Sequence, residues 1–305
     1  MDSDEFDALI RALATSTSRR GTIKVLFTSV LGGVVGLGGM STALAGRRTR
    51  PPGDVVCPNL PCGKISDSDE LWDLAKKCLH NGPVLKKNCP TAGYDTSGKR
   101  QWVIGTDTAN KHYVFIAGDR RTGIECPEIW KSGAPDYWTM AWEQAQSLLM
   151  SHKGKIGMAI NSAHTRTRCQ LHIHMSCIRS DVQQALVNAE GKGQIPLYPK
   201  TWDLSKPLPL MTSMSGTRNF LAFSSPKSST LLVHGQNLFQ LLHNMLTSQQ
   251  MRPDKDMQYQ TLVVTQRPKG GFYILTSEEG TTTNPSPKLM GGIGAGEQLL
   301  NENCT

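Results

Sequence analysis

The chain has 305 residues, of which 38% are hydrophobic and 19% charged, and it carries a formal net charge of +8. That balance excludes a disordered chain and supplies enough apolar side chains for a sizeable core, in one large domain or two ordinary ones. No arginine-rich run with interleaved aromatics points to nucleic acid, so the positive charge either attracts an anionic surface or serves solubility.

The first 45 residues read as an address. Ser18-Arg19-Arg20-Gly21-Thr22-Ile23-Lys24 places paired arginines before the modestly apolar run Val25 to Leu44, and Ala43-Leu44-Ala45 offers the small residues of a cleavage site. Residues 1–45 are therefore expected to be a twin-arginine-type export signal. The alternative is an uncleaved anchor, but five glycines in the run and Arg47, Arg48 and Arg50 beyond it weigh against a span. The segment holds four acids (Asp2, Asp4, Glu5, Asp7) and four bases (Arg11, Arg19, Arg20, Lys24), so its removal leaves the +8 intact. The abundant anion outside the cytoplasm is a phospholipid surface. The expected location is periplasmic, secreted or membrane-associated.

All eight cysteines follow this segment: Cys57, Cys62, Cys78, Cys89, Cys126, Cys169, Cys177 and Cys304. An even number in an exported chain suggests disulfides. Cys57-Pro-Asn-Leu-Pro-Cys62 is half of a metal knuckle at most, because no second half at zinc-finger spacing follows.

Residues 46–65, rich in proline, glycine and arginine, read as a linker or an irregular lead-in, leaving 66–305 as the folded domain. Asp67 stands three residues before Glu70 in capping-box spacing, and Leu71, Leu74, Ala75, Cys78 and Leu79 repeat at helical intervals until Gly82-Pro83. Gln101–Gly105 and Tyr113–Ala117 predict two paired strands. Asp136 to Met150 predicts an amphipathic helix with Trp138 and Trp142 on its core face, and Ile156 to Ile160 a strand leading into the polar turn Asn161 to Arg168. Ser180-Asp181-Val182-Gln183 has capping-box spacing and predicts a helix ended by Gly191. Residues 192–235 read as loop, Leu238 to Met245 as helix, and Tyr259–Gln266 with Phe272–Thr276 as a hairpin. The tail from Gly280 is expected to be disordered unless Cys304 ties it down.

Gln170-Leu171-His172-Ile173-His174-Met175-Ser176-Cys177 alternates polar and apolar residues. Along a strand that pattern puts Gln170, His172, His174 and Ser176 on one side and turns Leu171, Ile173, Met175 and Cys177 to the core. Two histidines so placed can hold a metal, face solvent, or act on phosphorus. A metal needs a third ligand, and His112, His152, His164, His234 and His243 stand alone in unrelated contexts. No metal or other cofactor is expected.

The segment, with Ala159-Ile160-Asn161-Ser162 before it and Cys177-Ile178-Arg179-Ser180-Asp181-Val182 after it, resembles the CDP-diacylglycerol pyrophosphatase branch of the histidine-triad superfamily. Arg121-Thr122-Gly123-Ile124-Glu125-Cys126-Pro127, Tyr137-Trp138-Thr139-Met140-Ala141-Trp142 and Thr265-Gln266-Arg267 resemble the same family in order and spacing, so the likeness runs over roughly residues 70–305. It implies an α+β fold, a histidine-triad-like antiparallel sheet with flanking helices, that hydrolyses CDP-diacylglycerol to CMP and phosphatidic acid through a cytidylyl-histidine. The implied substrate is CDP-diacylglycerol or a related CDP-alcohol, and the expected partner is a membrane surface, not nucleic acid.

In that scheme His172 attacks, and His174 holds phosphate oxygens and handles the leaving group's proton. Thr167 and Ser176 bond the phosphate or the second histidine, Asn161 touches the nucleotide, and Arg166 binds the diphosphate. Gln170 fills the first triad position, where most relatives carry histidine, and is counted among the substrate-side residues. The resemblance also places cysteines at Cys78, Cys89, Cys177 and Cys304, with Cys78–Cys89 and Cys177–Cys304 as the first pairings and Cys57–Cys62 and Cys126–Cys169 completing the set. Two other readings remain open: a histidine-triad hydrolase of another nucleoside diphosphate derivative, and a silent nucleotide- or lipid-binding module.

Overall fold

Residues 57–79, 91–94, 101–107, 112–197, 202–226, 231, 235–249, 251–301 and 304 are described in a computed structural model. The expected export signal at 1–45 and the Cys78–Cys89 pairing fall at least partly outside these residues; Cys78 itself is disulfide-bonded. Among the described residues no helix is long and apolar enough to cross a membrane.

The strands are β1 (Thr91–Tyr94), β2 (Gln101–Asp107), β3 (His112–Ala117), β4 (Ile156–Ile160), β5 (His172–Ile178), β6 (Leu208–Met211), β7 (Thr217–Ser224), β8 (Gln260–Gln266), β9 (Phe272–Glu278) and β10 (Leu300–Asn301). They make one antiparallel sheet in the order β1-β2-β3-β5-β4-β8-β9-β7-β6. Strand β10 lies beside the end of β5, pairing Leu300 with Ile178 and Asn301 with Cys177. It thus continues the row that β3 occupies against the first part of β5, where Ile116 pairs with His172 and Tyr113 with Met175. The helices are α1 (Glu70–Leu79), α2 (Tyr137–Leu148), α3 (Ser180–Gly191), α4 (Leu238–Ser248) and the single turn α5 (Pro253–Asp256). The architecture is α+β.

Alternation along the strands divides the core between the two faces of the sheet. Leu171, Ile173, Met175 and Cys177 join Trp138 and Trp142 of α2 and Leu238, Phe239 and Leu242 of α4 in the main cluster. Burying each of the large members contributes about 1.5–3 kcal/mol. The other face carries two smaller clusters, one under α1 with Val103 and Ile116, and one under α3 with Ala159, Ile178, Val182 and Leu186. His172 and His174, pointing to this second face, occupy the strip between them.

Several expectations need correction. The cap of α1 is Asp69 rather than Asp67: its Oδ1 accepts from the amides of Leu71 and Trp72, while Asp67 accepts from Lys64 N in the preceding turn. Ser180 is the first residue of α3 and Arg179 its cap, with no side-chain capping bond. The segment read as loop contains the β6–β7 hairpin, in which Pro209 is tolerated because β6 lies at the sheet edge. Residues 57–65, within the segment read as a linker or irregular lead-in, are stapled to the domain through Cys57–Cys169 and Cys62–Cys126. These pairings replace Cys57–Cys62 and Cys126–Cys169, because the turn at 57–62 straddles two loops and gives one cysteine to each. Cys177–Cys304 is present.

Candidate active site

The site begins with the way β5 is entered. Gln170 lies just before the strand, fully buried, with its amide used on all sides. Its Nε2 donates to the carbonyl oxygens of Ala117 (2.7 Å) and Asp119 (2.8 Å), and its Oε1 accepts from Arg120 Nη1 (2.9 Å) and the Arg121 amide (3.4 Å). Both ends of the amide are thus bonded to the protein, while Gln170 also borders the same pocket as His172. It locks the loop after β3 against the start of β5.

With Gln170 fixed, its own backbone carbonyl meets Nδ1 of His172 at 2.6 Å. A carbonyl only accepts, so Nδ1 carries the proton and the neutral ring presents its lone pair at Nε2. Burial holds the imidazole below the usual histidine range; the Gln170 carbonyl and Asp69 push the other way, while Arg166 and Arg168 add to the lowering. The His174 ring stands 5.0 Å from that of His172, centre to centre, at 67°.

His172 and Gln170 line a narrow cleft together with Thr122, Gly123, Asn161 and Arg166. Arg166 is buried and forms a two-pronged bond to Glu125, Nη1 to Oε2 at 2.5 Å and Nη2 to Oε1 at 2.7 Å. Its Nη2 also lies 3.1 Å from Cys57 Sγ. The guanidinium thus borders the cleft as one side of a buried ion pair with Glu125. Gly123 is required beneath it, since a Cβ there would collide with the guanidinium.

Asn161, Ser176 and Thr167 fare differently. Asn161 lines the cleft, and its Oδ1 accepts from the amide of Glu297 at 3.3 Å. Ser176 is buried and donates to the carbonyl oxygen of Asn301 at 2.6 Å, tying β10 to β5. Thr167 sits half-buried in the loop before Cys169, its carbonyl taken by Arg168 Nη1 at 3.0 Å. Arg168 in turn pairs with Glu70 of α1 at 2.8 Å.

The sequence reading overlooked Glu297. The chain from 279 onward folds back over the site: Gly294 accepts from the amide of Ser162 at 2.8 Å, and Glu297 places Oε2 3.1 Å from Nε2 of His174. Gly294 packs against Ser162 and Glu279 so closely that no Cβ fits. Arg120 and Glu125 were also passed over, although Glu125 lies in the quoted Arg121–Pro127 stretch. A carboxylate and an arginine far apart in sequence give no periodic signal.

A family model described as CDP-diacylglycerol pyrophosphatase matches residues 66–305. The chain belongs to this family. A CDP-diacylglycerol pyrophosphatase of Yersinia pestis is 30% identical over 137 residues, covering 40% of this chain and 50% of the relative. That aligned part spans about half the length of the relative. The family match begins with the residues leading into α1 and runs to the end of the chain, so it includes β5 with both histidines and the returning strap with Glu297.

Proposed function

We propose that this protein hydrolyses the diphosphate of CDP-diacylglycerol, releasing CMP and phosphatidic acid through a cytidylyl intermediate on His172. The observation that carries the reading is the 2.6 Å contact between His172 Nδ1 and the Gln170 carbonyl, which leaves a buried, neutral imidazole with a lone pair at Nε2. The family match supports the substrate.

In the first step Nε2 of His172 attacks the phosphorus next to cytidine, a P–N bond forms, and the bond from that phosphorus to the bridging oxygen breaks. Phosphatidate leaves with the electron pair, and the His174 imidazolium supplies the proton. In the second step water attacks the same phosphorus, gives a proton to His174, and the P–N bond returns its electrons to His172. Splitting the displacement in two requires only a good nucleophile that is also a good leaving group, which imidazole is. In this reading Asn161, which borders the cleft, touches the nucleotide.

The working environment in this reading is a membrane surface outside the cytoplasm. It is supported by the paired arginines Arg19-Arg20 before an apolar run, the +8 charge, and three disulfides among the described residues.

The test is to supply the purified protein with CDP-diacylglycerol in detergent, with a chelator present, and to measure CMP and phosphatidic acid. The reading predicts turnover that a His172→Ala variant loses by at least about 10³-fold. Abolition by the chelator would speak for a metal, and no turnover of any CDP compound for a silent binding module.

A further inference from the structure

We infer that Glu297 is the positioning residue for His174: a carboxylate delivered by the C-terminal strap that orients the second histidine and favours its charged form. The inference rests on the roles proposed above for His172 and His174. Its basis is the 3.1 Å approach of Glu297 Oε2 to His174 Nε2, an ion-pair contact rather than an aligned hydrogen bond, between side chains that are 26% and 13% exposed. At such a partly shielded position an opposite charge favours the protonated imidazole.

The strap is held on both sides of Glu297. Before it, the carbonyl of Gly294 accepts from Ser162 N, and the amide of Glu297 itself donates to Asn161 Oδ1. After it, the carbonyl of Gln298 accepts from Ser213 N at 3.0 Å, that of Leu299 from Arg179 N at 3.1 Å, and that of Asn301 from Ser176 Oγ. Cys304 then closes the strap onto Cys177 of β5, three residues beyond His174. A loosely attached tail would put a carboxylate near the histidine only part of the time; this one is fixed to the strand that bears the histidine and to the turn that bears Asn161.

The site has a use for such a residue. The first triad position cannot orient His174, because Gln170 is consumed by the loop at 117–121. Glu297 from the strap and His172 from its own strand both approach His174, and its cross-strand neighbours Val114 and Ala159 are uncharged. Glu297 remains a carboxylate throughout: the proton that reaches the bridging oxygen comes from the imidazolium, and the one water gives up returns to it.

The test is the pH profile of kcat/KM for Glu297→Gln in the full chain, against CDP-diacylglycerol. Loss of the carboxylate lowers the pH at which His174 discharges, so the basic limb moves down by about one pH unit or more while the acidic limb stays in place. The loss is therefore about tenfold or greater on the alkaline side and shrinks towards acid pH. In a His174→Ala background the same change has no further effect. Glu297→Asp, which keeps the charge but withdraws it, shifts the limb less, and it serves where the glutamine variant does not fold. A limb that does not move, or a loss equal at every pH, overturns the inference. Activity surviving in His172→Ala would instead overturn the underlying mechanism, so the two failures are distinguishable.

Discussion

Nδ1 of His172 lies 2.6 Å from the carbonyl oxygen of Gln170, two residues earlier in the chain. This short local bond sets the tautomer of the proposed nucleophile, and it exists because the Gln170 side chain is clamped by Arg120 and by the carbonyls of Ala117 and Asp119. The unusual residue of the motif thus acts through its backbone carbonyl on His172, two residues on.

Burial holds the His172 imidazole below the usual range. The unfolded chain therefore binds this proton at higher pH than the folded one, so stability from this group falls as pH drops below the ordinary histidine value, and the ring stays neutral until more acid conditions. The acidic limb of kcat/KM against pH should lie below the pH at which an unperturbed histidine titrates. An acidic limb at or above that value would contradict the buried, neutral nucleophile.

Gln170→Ala should destabilise the protein by about 2–3 kcal/mol, because it leaves the carbonyls of Ala117 and Asp119 without their donor and removes one of the partners of Arg120. Denaturant unfolding measures it. Gln170→His restores the residue of the usual triad but cannot reproduce four amide bonds, so it should also lose stability without gaining activity.

Arg166 and Glu125 are a buried pair, 3% and 5% exposed. Removing one partner leaves an uncompensated charge, and Arg166→Ala or Glu125→Ala should cost about 3–5 kcal/mol, read as a fall in thermal midpoint. Replacing both at once should cost less than the sum of the single changes.

The bridge from Cys177 to Cys304 closes a loop of 127 residues. Cys304→Ser should lower stability by about 2–5 kcal/mol and also reduce turnover, since the freed strap no longer holds Glu297 at His174. Unfolding and kinetics on one preparation check both effects.

Much of this was legible in the sequence wherever a period is strong. The alternation at 170–177 fixed which face of β5 meets the main core, and Trp138 and Trp142 marked the buried side of α2. The β6–β7 hairpin was hidden because Pro209 breaks the strand pattern, and only the edge position makes it acceptable. Glu297 was hidden because its segment is rich in glycine and lacks any period. The strap is ordered by long-range bonds to Ser162, Asn161 and Ser176, not by local propensity. Cys177–Cys304 forms as expected, whereas the Cys57–Cys62 and Cys126–Cys169 pairings failed for a similar reason: neighbours in sequence, Cys57 and Cys62, reach to different loops.

The central claim is the covalent step on His172, and the most direct measurement is a rapid quench under conditions that preserve an acid-labile P–N bond, followed by peptide mass mapping in H2¹⁸O. The account predicts a cytidylyl group on the peptide bearing His172, with the heavy oxygen appearing in CMP. An unmodified His172 during turnover, with the heavy oxygen in phosphatidic acid, would contradict it.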